Sequence, residues 1–308
     1  MCAALPETNG QSSSRRWGIS KATVRNLASR CTHTVHTYQG IPAWDTGMQR
    51  LLYLGFDNAA DTAFVIVRNL DSGKENVVAE TNHFNFHTAA WMHWVLEDRF
   101  ILFRFMGDDG CLYNRLVNVD NPEETRVLQH LPNRTFRMVS RDGLYGMAHG
   151  ETLEQSEDKI ERVNLETGAV ETLVTLKEAV QALPQEVHEA SKQYHFNHPV
   201  LNRSQTRLFF KLIKSKPWSG TEEAPEWGAF FARNLVTGSL ICFGDRVSGH
   251  PCWMPDDRRI LNIMRPRDGS NNRWMVVQDT ENGACERLFD LPIEGPGHPD
   301  ISPNGRWI

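Results

Sequence analysis

The amino-acid sequence predicts an all-β fold of tandem four-stranded antiparallel units, a β-propeller, and three observations carry that prediction. One hairpin pattern, a β-rich strand, a turn usually ending in Gly and a second strand, recurs through the chain. A second hairpin, with a polar turn and mostly apolar arms, interleaves with the first. Together they repeat roughly every 45–50 residues, which makes four strands per period and hence the blade of a propeller. One blade alone leaves both of its faces in water. Packing each against its neighbours makes a continuous core, and closing the ring protects the ends.

Along the chain, the interleaved hairpin opens at AWDTGMQRLLYL (43–54). It returns as HWVLEDRFILFRF (93–105), MVSRDGLYGMAH (138–149), VLNRSQTRLFFKL (200–212), CWMPDDRRILNIM (252–264) and DISPNGRWI (300–308). The Gly-turn hairpin reads VRNLDSGKENVV (67–78), the degenerate LVNVDNPEETRVL (116–128), RVNLETGAVETLV (162–174), ARNLVTGSLICF (232–243) and VQDTENGACERLF (277–289). Its turn residues, Gly73, Pro122, Gly168, Gly238 and Gly283, are separated by 49, 46, 70 and 45 residues. Alternating apolar residues flank each turn, as a hairpin requires. The long gap holds an insertion, TLKEAVQALPQEVHEASKQY (175–194). Its Leu176, Val180, Leu183, Val187 and Ala190 fall near helical spacing, and Pro184 kinks or divides the helix. Residues 1–15 read as a disordered tail without the apolar core of a signal peptide, ahead of a single propeller domain over 16–308. The sequence stops inside its sixth repeat, and residues 16–29 (RWGISKATVRNLAS) offer closing strands. The pattern therefore fits a tight six-bladed ring or an incomplete seven-bladed one.

Composition narrows the functional classes. An apolar share of 40% excludes bulk disorder. No apolar run reaches the length of a membrane span, so no membrane partner is expected. The net charge of −5, from 33 basic and 38 acidic side chains, implies no broad basic surface, so nucleic acid is not an expected partner. Six cysteines without a CxxC pair read as reduced and mostly buried thiols, not a disulfide scaffold or zinc cluster, and the expected compartment is the cytoplasm. GDDG (107–110) lacks the spaced acids of a calcium loop, and the nine Trp read as core.

Chemistry concentrates in the histidines. His198, His250 and His298 each stand three residues before the leading apolar residue of a first hairpin, Leu201, Trp253 and Ile301, and each is followed by Pro. A residue just ahead of the innermost strand lies at the mouth of the central channel. Equivalent positions in successive blades converge there. His36 and His87 lie near the first two blade entrances, out of this register. Clustered imidazoles suit divalent-metal ligation or general base catalysis; a structural histidine bonding the next blade is the competing reading.

VSGHPCWMPDDRRIL, GPGHPDISPNGRWI and FNHPVLNRSQTRLFF resemble blades of the oligogalacturonate lyase family, and THTVHTYQGIPAWDTGMQRLLYLGFDN resembles its first blade. The likeness covers about residues 30–308. It implies a seven-bladed propeller of the TolB-like type. It also implies β-elimination on short oligogalacturonides, pectin breakdown products, with Mn²⁺ or another divalent cation holding the uronate carboxylate. By that resemblance His250 is the general base and His298 a metal ligand, while His198 and His36 line the substrate site. A Q-x-x-H-x-H stretch holding the family's remaining ligands has no counterpart in residues 1–308, and no Arg matches the family's catalytic one. From the ligand count, residues 1–308 alone are expected to bind Mn²⁺ poorly. The rival readings are a non-catalytic propeller, serving as a sugar-binding or protein-interaction module, and a hydrolase or epimerase using the same pocket.

Overall fold

The computed structural model describes residues 29–38, 40–57, 61–150, 158–183, 194–214, 227–244, 250–264, 272–291 and 301. Among these the chain forms twenty strands in five four-stranded sheets, every neighbouring pair antiparallel and in chain order. The first sheet is β1 (His33–Val35), β2 (Arg50–Phe56), β3 (Ala63–Asn69) and β4 (Glu75–Thr81). The second is β5 (His93–Val95), β6 (Phe100–Met106), β7 (Leu112–Asn118) and β8 (Thr125–Val127). The third is β9 (Arg134–Val139), β10 (Tyr145–Gly150), β11 (Lys159–Asn164) and β12 (Val170–Thr175). The fourth is β13 (Tyr194–Leu201), β14 (Arg207–Lys214), β15 (Trp227–Asn234) and β16 (Leu240–Gly244). The fifth is β17 (Cys252–Trp253), β18 (Arg259–Met264), β19 (Arg273–Asp279) and β20 (Cys285–Leu291). Each repeated hairpin of the sequence up to residue 291 is thus a pair of neighbouring strands, except that the first arm of 43–54 meets β2 only through the isolated Trp44–Leu51 bridge.

The turns explain why the repeat is so regular. At the third-to-fourth-strand hairpins an Asn or Asp ends the strand. Asn69, Asn164, Asn234 and Asp279 each accept a backbone N–H two or three residues ahead through the side-chain oxygen. Gly73, Gly168, Gly238 and Gly283 then take φ of 71°, 76°, 77° and 73°, a conformation that costs glycine nothing. In the second sheet Asn118 does the same work ahead of Pro122.

Apolar clusters fill the spaces between consecutive sheets, as tandem blades require. Leu52, Val65, Met92 and Phe103 join the first sheet to the second, and Leu102, Leu116, Phe136 and Val163 the second to the third. Ile160, Val174, Phe196 and Phe210 join the third to the fourth, and Phe209, Phe230 and Ile260 the fourth to the fifth. Cross-sheet bonds tie the first strands together. Trp94 Nε1 donates to the Ala43 carbonyl at 3.1 Å, His93 Nε2 to that of Phe136 at 2.8 Å, and Trp253 Nε1 to that of Val200 at 3.0 Å. Burial pushes the His93 imidazole down to about 4, so it is a neutral structural donor.

Packing at β10 is tight enough to test. A methyl on Gly146 would come within 2.2 Å of the Phe136 ring, which is completely buried. Gly146→Ala is expected to destabilise the protein by about 1–3 kcal/mol, read as a lower midpoint in a thermal melt.

Several expectations are corrected or bounded. The insertion forms one short helix, α1 (Leu176–Gln181), begun by a capping box between Thr175 and Glu178. Residues 184–193, the rest of that prediction, lie outside the described residues, as do the N-terminal tail and His298. His198 lies within β13 and not ahead of it. Of the thiols expected to be mostly buried, Cys31, Cys111, Cys242 and Cys252 are only half-buried and Cys285 is exposed. No helix among the described residues is long and apolar enough to cross a membrane.

Candidate functional site

Each sheet interrupts its first strand, or begins it late, near the same end. In the first sheet the chain leaves the ladder after β1 and rejoins it at Trp44, bridged to Leu51, and Tyr38 sits on the intervening segment. In the second, Trp91 precedes β5 with φ of 51°. In the third, the β9–β10 register passes from Met138 directly to Phe136, so Arg137 is the extra residue of a β-bulge. In the fourth, the β13–β14 pairs step from Asn197 to Val200 against Lys211 and Phe209, which sets His198 and Pro199 against Phe210 alone. In the fifth, His250 and Pro251 stand just ahead of β17. The local cause in the last two sheets is proline, which supplies no N–H to a ladder. A bulge in turn re-aims the side chain it releases.

These irregularities bring five sheets to one cluster. Tyr38 Oη and His250 Nε2 are 3.2 Å apart. The His198 and His250 rings lie 4.3 Å apart between centroids, edge to face at 66°. Arg137 Nη1 donates to the Asn197 Oδ1 and, at 3.2 Å, to His198 Nδ1. Its guanidinium stacks 4.9 Å from the Trp91 ring, and Trp91 lies 4.7 Å from Tyr38. Exposed His87 packs its ring against Tyr38 at 5.2 Å. Lys211, paired with Asn197 across β13 and β14, sets its ammonium 4.9 Å from the Phe230 ring.

The electrostatics are one-sided. Burial holds the His198 imidazole well below its ordinary value, and Arg137, Lys211, His250 and His149 push it further. Burial, then Arg137, brings the Lys211 amine down to about 7. His195 is lowered by the same two causes, while burial raises the Tyr38 phenol. The groups that lower His198 most, Arg137, Lys211, His250 and His149, are all bases. Such a cluster favours a negative charge delivered by a ligand, because an anion relieves mutual repulsion that burial strengthens.

A divalent cation fits this cluster poorly. Among the described residues no group of three or more His, Cys, Asp or Glu could hold a metal ion. Arg137 and Lys211 beside the imidazoles oppose a second positive centre, and Mn²⁺ favours carboxylate oxygens that the cluster does not offer. His298, the implied ligand, lies outside the described residues.

Of the residues singled out in the sequence, His198 and His250 meet. His36 is exposed, and the ring that reaches His250 from its segment is Tyr38, two residues on. Sequence reasoning misses Arg137, Trp91, Tyr38 and Lys211. Arg137 carries a faint signal, standing two residues before Val139 where the histidines stand three before Leu201 and Trp253. Trp91 is core as expected, buried at 3% exposure, yet it is also the plate on which Arg137 lies. A polar cavity of about 340 Å³, lined in part by Glu80, Asn82, Asp108 and Arg115, shares no lining residue with the cluster.

No family model matches the chain, and no curated protein matches it. Solved structures do. An oligogalacturonate lyase in complex with manganese aligns with a TM-score of 0.59 at 14% identity, over 88% of this chain and 70% of that one. An oligogalacturonate lyase from Vibrio parahaemolyticus aligns with a TM-score of 0.57 at 13% identity, over the same shares. The β-propeller domain of the Trilobed protease from Pyrococcus furiosus gives 0.52 at 11% identity, over 82% and 71%. TolB from Acinetobacter baumannii gives 0.50 at 13% identity, and this chain spans 55% of its length. At such identities the likeness speaks for architecture alone, and with the five sheets it establishes that the chain has a β-propeller fold of the TolB-like type.

Proposed function

We propose that the cluster binds the carboxylate of a short oligogalacturonide and cleaves the sugar by β-elimination, with His250 as general base. The observation that carries this reading is the contact of the His250 and His198 imidazoles, 4.3 Å apart, beside Arg137 and Lys211. The two lyases among the structural neighbours support it through their fold.

The chemistry needs a base and a positive wall. The proton on C5 of a uronate is weakly acidic, and removing it puts charge on the carboxylate as an enolate. Arg137 and Lys211 supply donors for that charge in a site shielded from water, where such interactions are strong. Neutral His250 takes the C5 proton. The C5–H electrons become the C4–C5 double bond, the C4–O bond breaks, and the departing oxygen takes up a proton.

The test is digalacturonate incubated with the protein while ultraviolet absorbance tracks the unsaturated product. Calorimetric titration with galacturonate and with uncharged galactose runs beside it. Product formation and binding of galacturonate only are expected. Galacturonate binding without product assigns the pocket to a sugar-binding module. Equal or no binding of both sugars overturns the carboxylate reading.

A further inference from the structure

We propose that His198 serves this pocket as a neutral hydrogen-bond donor through Nε2–H, its tautomer fixed by Arg137, and that its ligand group is an oxygen of the bound anion. The tautomer is dictated by the donor inventory. A guanidinium only donates, so the Nδ1 that faces Arg137 Nη1 at 3.2 Å must offer its lone pair. A neutral imidazole with an accepting Nδ1 carries its proton on Nε2. That atom is buried and has no hydrogen-bond partner among the described residues. A buried donor without a partner is destabilising, because it has given up its bond to water and gained none in return. A ligand oxygen placed there would remove that penalty.

The surroundings keep the ring neutral. The groups that act on it most strongly are Arg137 from β9, Lys211 from β14, His149 from β10 and His250 ahead of β17, all bases; the nearby Asp158 carboxylate is engaged by the Phe196 N–H and by Arg134. Asn197, on the same strand, accepts from the same Nη1 and holds the guanidinium in place. The His198 backbone is itself strained, with φ of 51° in the bulge before Pro199. Strain of this kind persists where the surrounding structure over-determines it, and it clusters at functional sites. With Nδ1 occupied by Arg137 and Nε2 by its proton, His198 has no lone pair for a metal and none for a substrate proton.

This deepens the reading of the pocket as an elimination site and rests on it for the identity of the anion. In that reaction His198 donates to the developing enolate or to the departing oxygen, while His250 takes the proton. Arg137 is here a positioning residue for His198.

Nitrogen-15 NMR of the histidine rings in the whole chain tests the tautomer without any turnover. His198 is expected to show a protonated Nε2 and an unprotonated Nδ1, unchanged from about pH 5 to pH 8, below and above the ordinary imidazole value. In Arg137→Met, which removes the donor that faces Nδ1, the Nδ1-protonated tautomer should become populated. Titration of His198 near its ordinary value in the wild type, or a protonated Nδ1, overturns the proposal. A kinetic arm separates donor from scaffold. His198→Ala should lower turnover by about 10²–10³-fold, while His198→Gln, which restores an N–H donor, should recover most of the loss without moving the acid limb of the pH profile. Equal losses in both variants, with melting points unchanged, would also overturn it. If digalacturonate is not cleaved at all, the NMR arm still decides the tautomer.

Discussion

His250→Asn is expected to lower turnover on digalacturonate by about 10²–10⁴-fold, the usual cost of removing a positioned general base. The asparagine amide stands where Nδ1 stands and falls short of Tyr38 Oη, so the bond that Tyr38 makes with His250 Nε2, at 3.2 Å, is lost. The fold should therefore lose no more than about 1 kcal/mol, the worth of one such bond. Galacturonate affinity should change little, because Arg137 and Lys211 hold the carboxylate in this reading. The checks are product absorbance, a thermal melt and calorimetry on the same preparation. Turnover like the wild type's would place the base elsewhere in the cluster.

Lys211→Met should trade ligand binding for stability. The Lys211 amine is brought down to about 7 by burial and by Arg137, against an ordinary value near 10.4 for an exposed lysine. The unfolded chain therefore binds the extra proton between about pH 7 and pH 10 while the folded chain does not. Stability from this group rises with pH across that window, and the penalty is fully present below pH 7. Removing the amine should raise the melting temperature by roughly 3–8 °C at pH 6, and by less at pH 9. Galacturonate should bind about 10–100-fold more weakly at pH 6, the value of one charge-assisted bond. Wild-type affinity should itself fall as pH rises past about 7, where the amine loses its proton. A melting point that drops at pH 6, with affinity unchanged, would remove Lys211 from the carboxylate site.

Much of the architecture is legible in the sequence because its determinants are local. Hairpins such as RNLDSG, VNLETG and RNLVTG carry an Asn that caps the turn and a Gly that completes it, four residues apart. Strand alternation on either side needs no distant partner to be recognised. Tandem repetition then forces radial stacking, since each sheet's apolar faces find cover only on the next one. The same periodicity places His198 and His250 at one mouth, and their rings do touch. Helical spacing alone sets no ends. The start of α1 is set by the Thr175–Glu178 capping box, and its last described turn ends short of Pro184.

The tandem hairpin order, the sheet composition and the presence of two histidines at one end were determined by the sequence itself. Only the tertiary structure decided which other side chains join them. Side chains in a strand alternate faces with period two, so a single extra residue turns the remainder of the strand to the opposite face. Such an extra residue sits at Arg137 in β9 and another at His198–Pro199 in β13, and neither bulge is marked by spacing alone. Lys211 lies on the second strand of its sheet, and its register against Asn197 brings it beside Arg137. Tyr38 replaces the expected His36 because the chain leaves the ladder between β1 and Trp44, where alternation no longer tells which way a side chain points. The positive character of the pocket is likewise a property of the assembly. Its cations come from different sheets of a chain whose net charge is −5, and the proposed anion site exists only where burial sets them side by side.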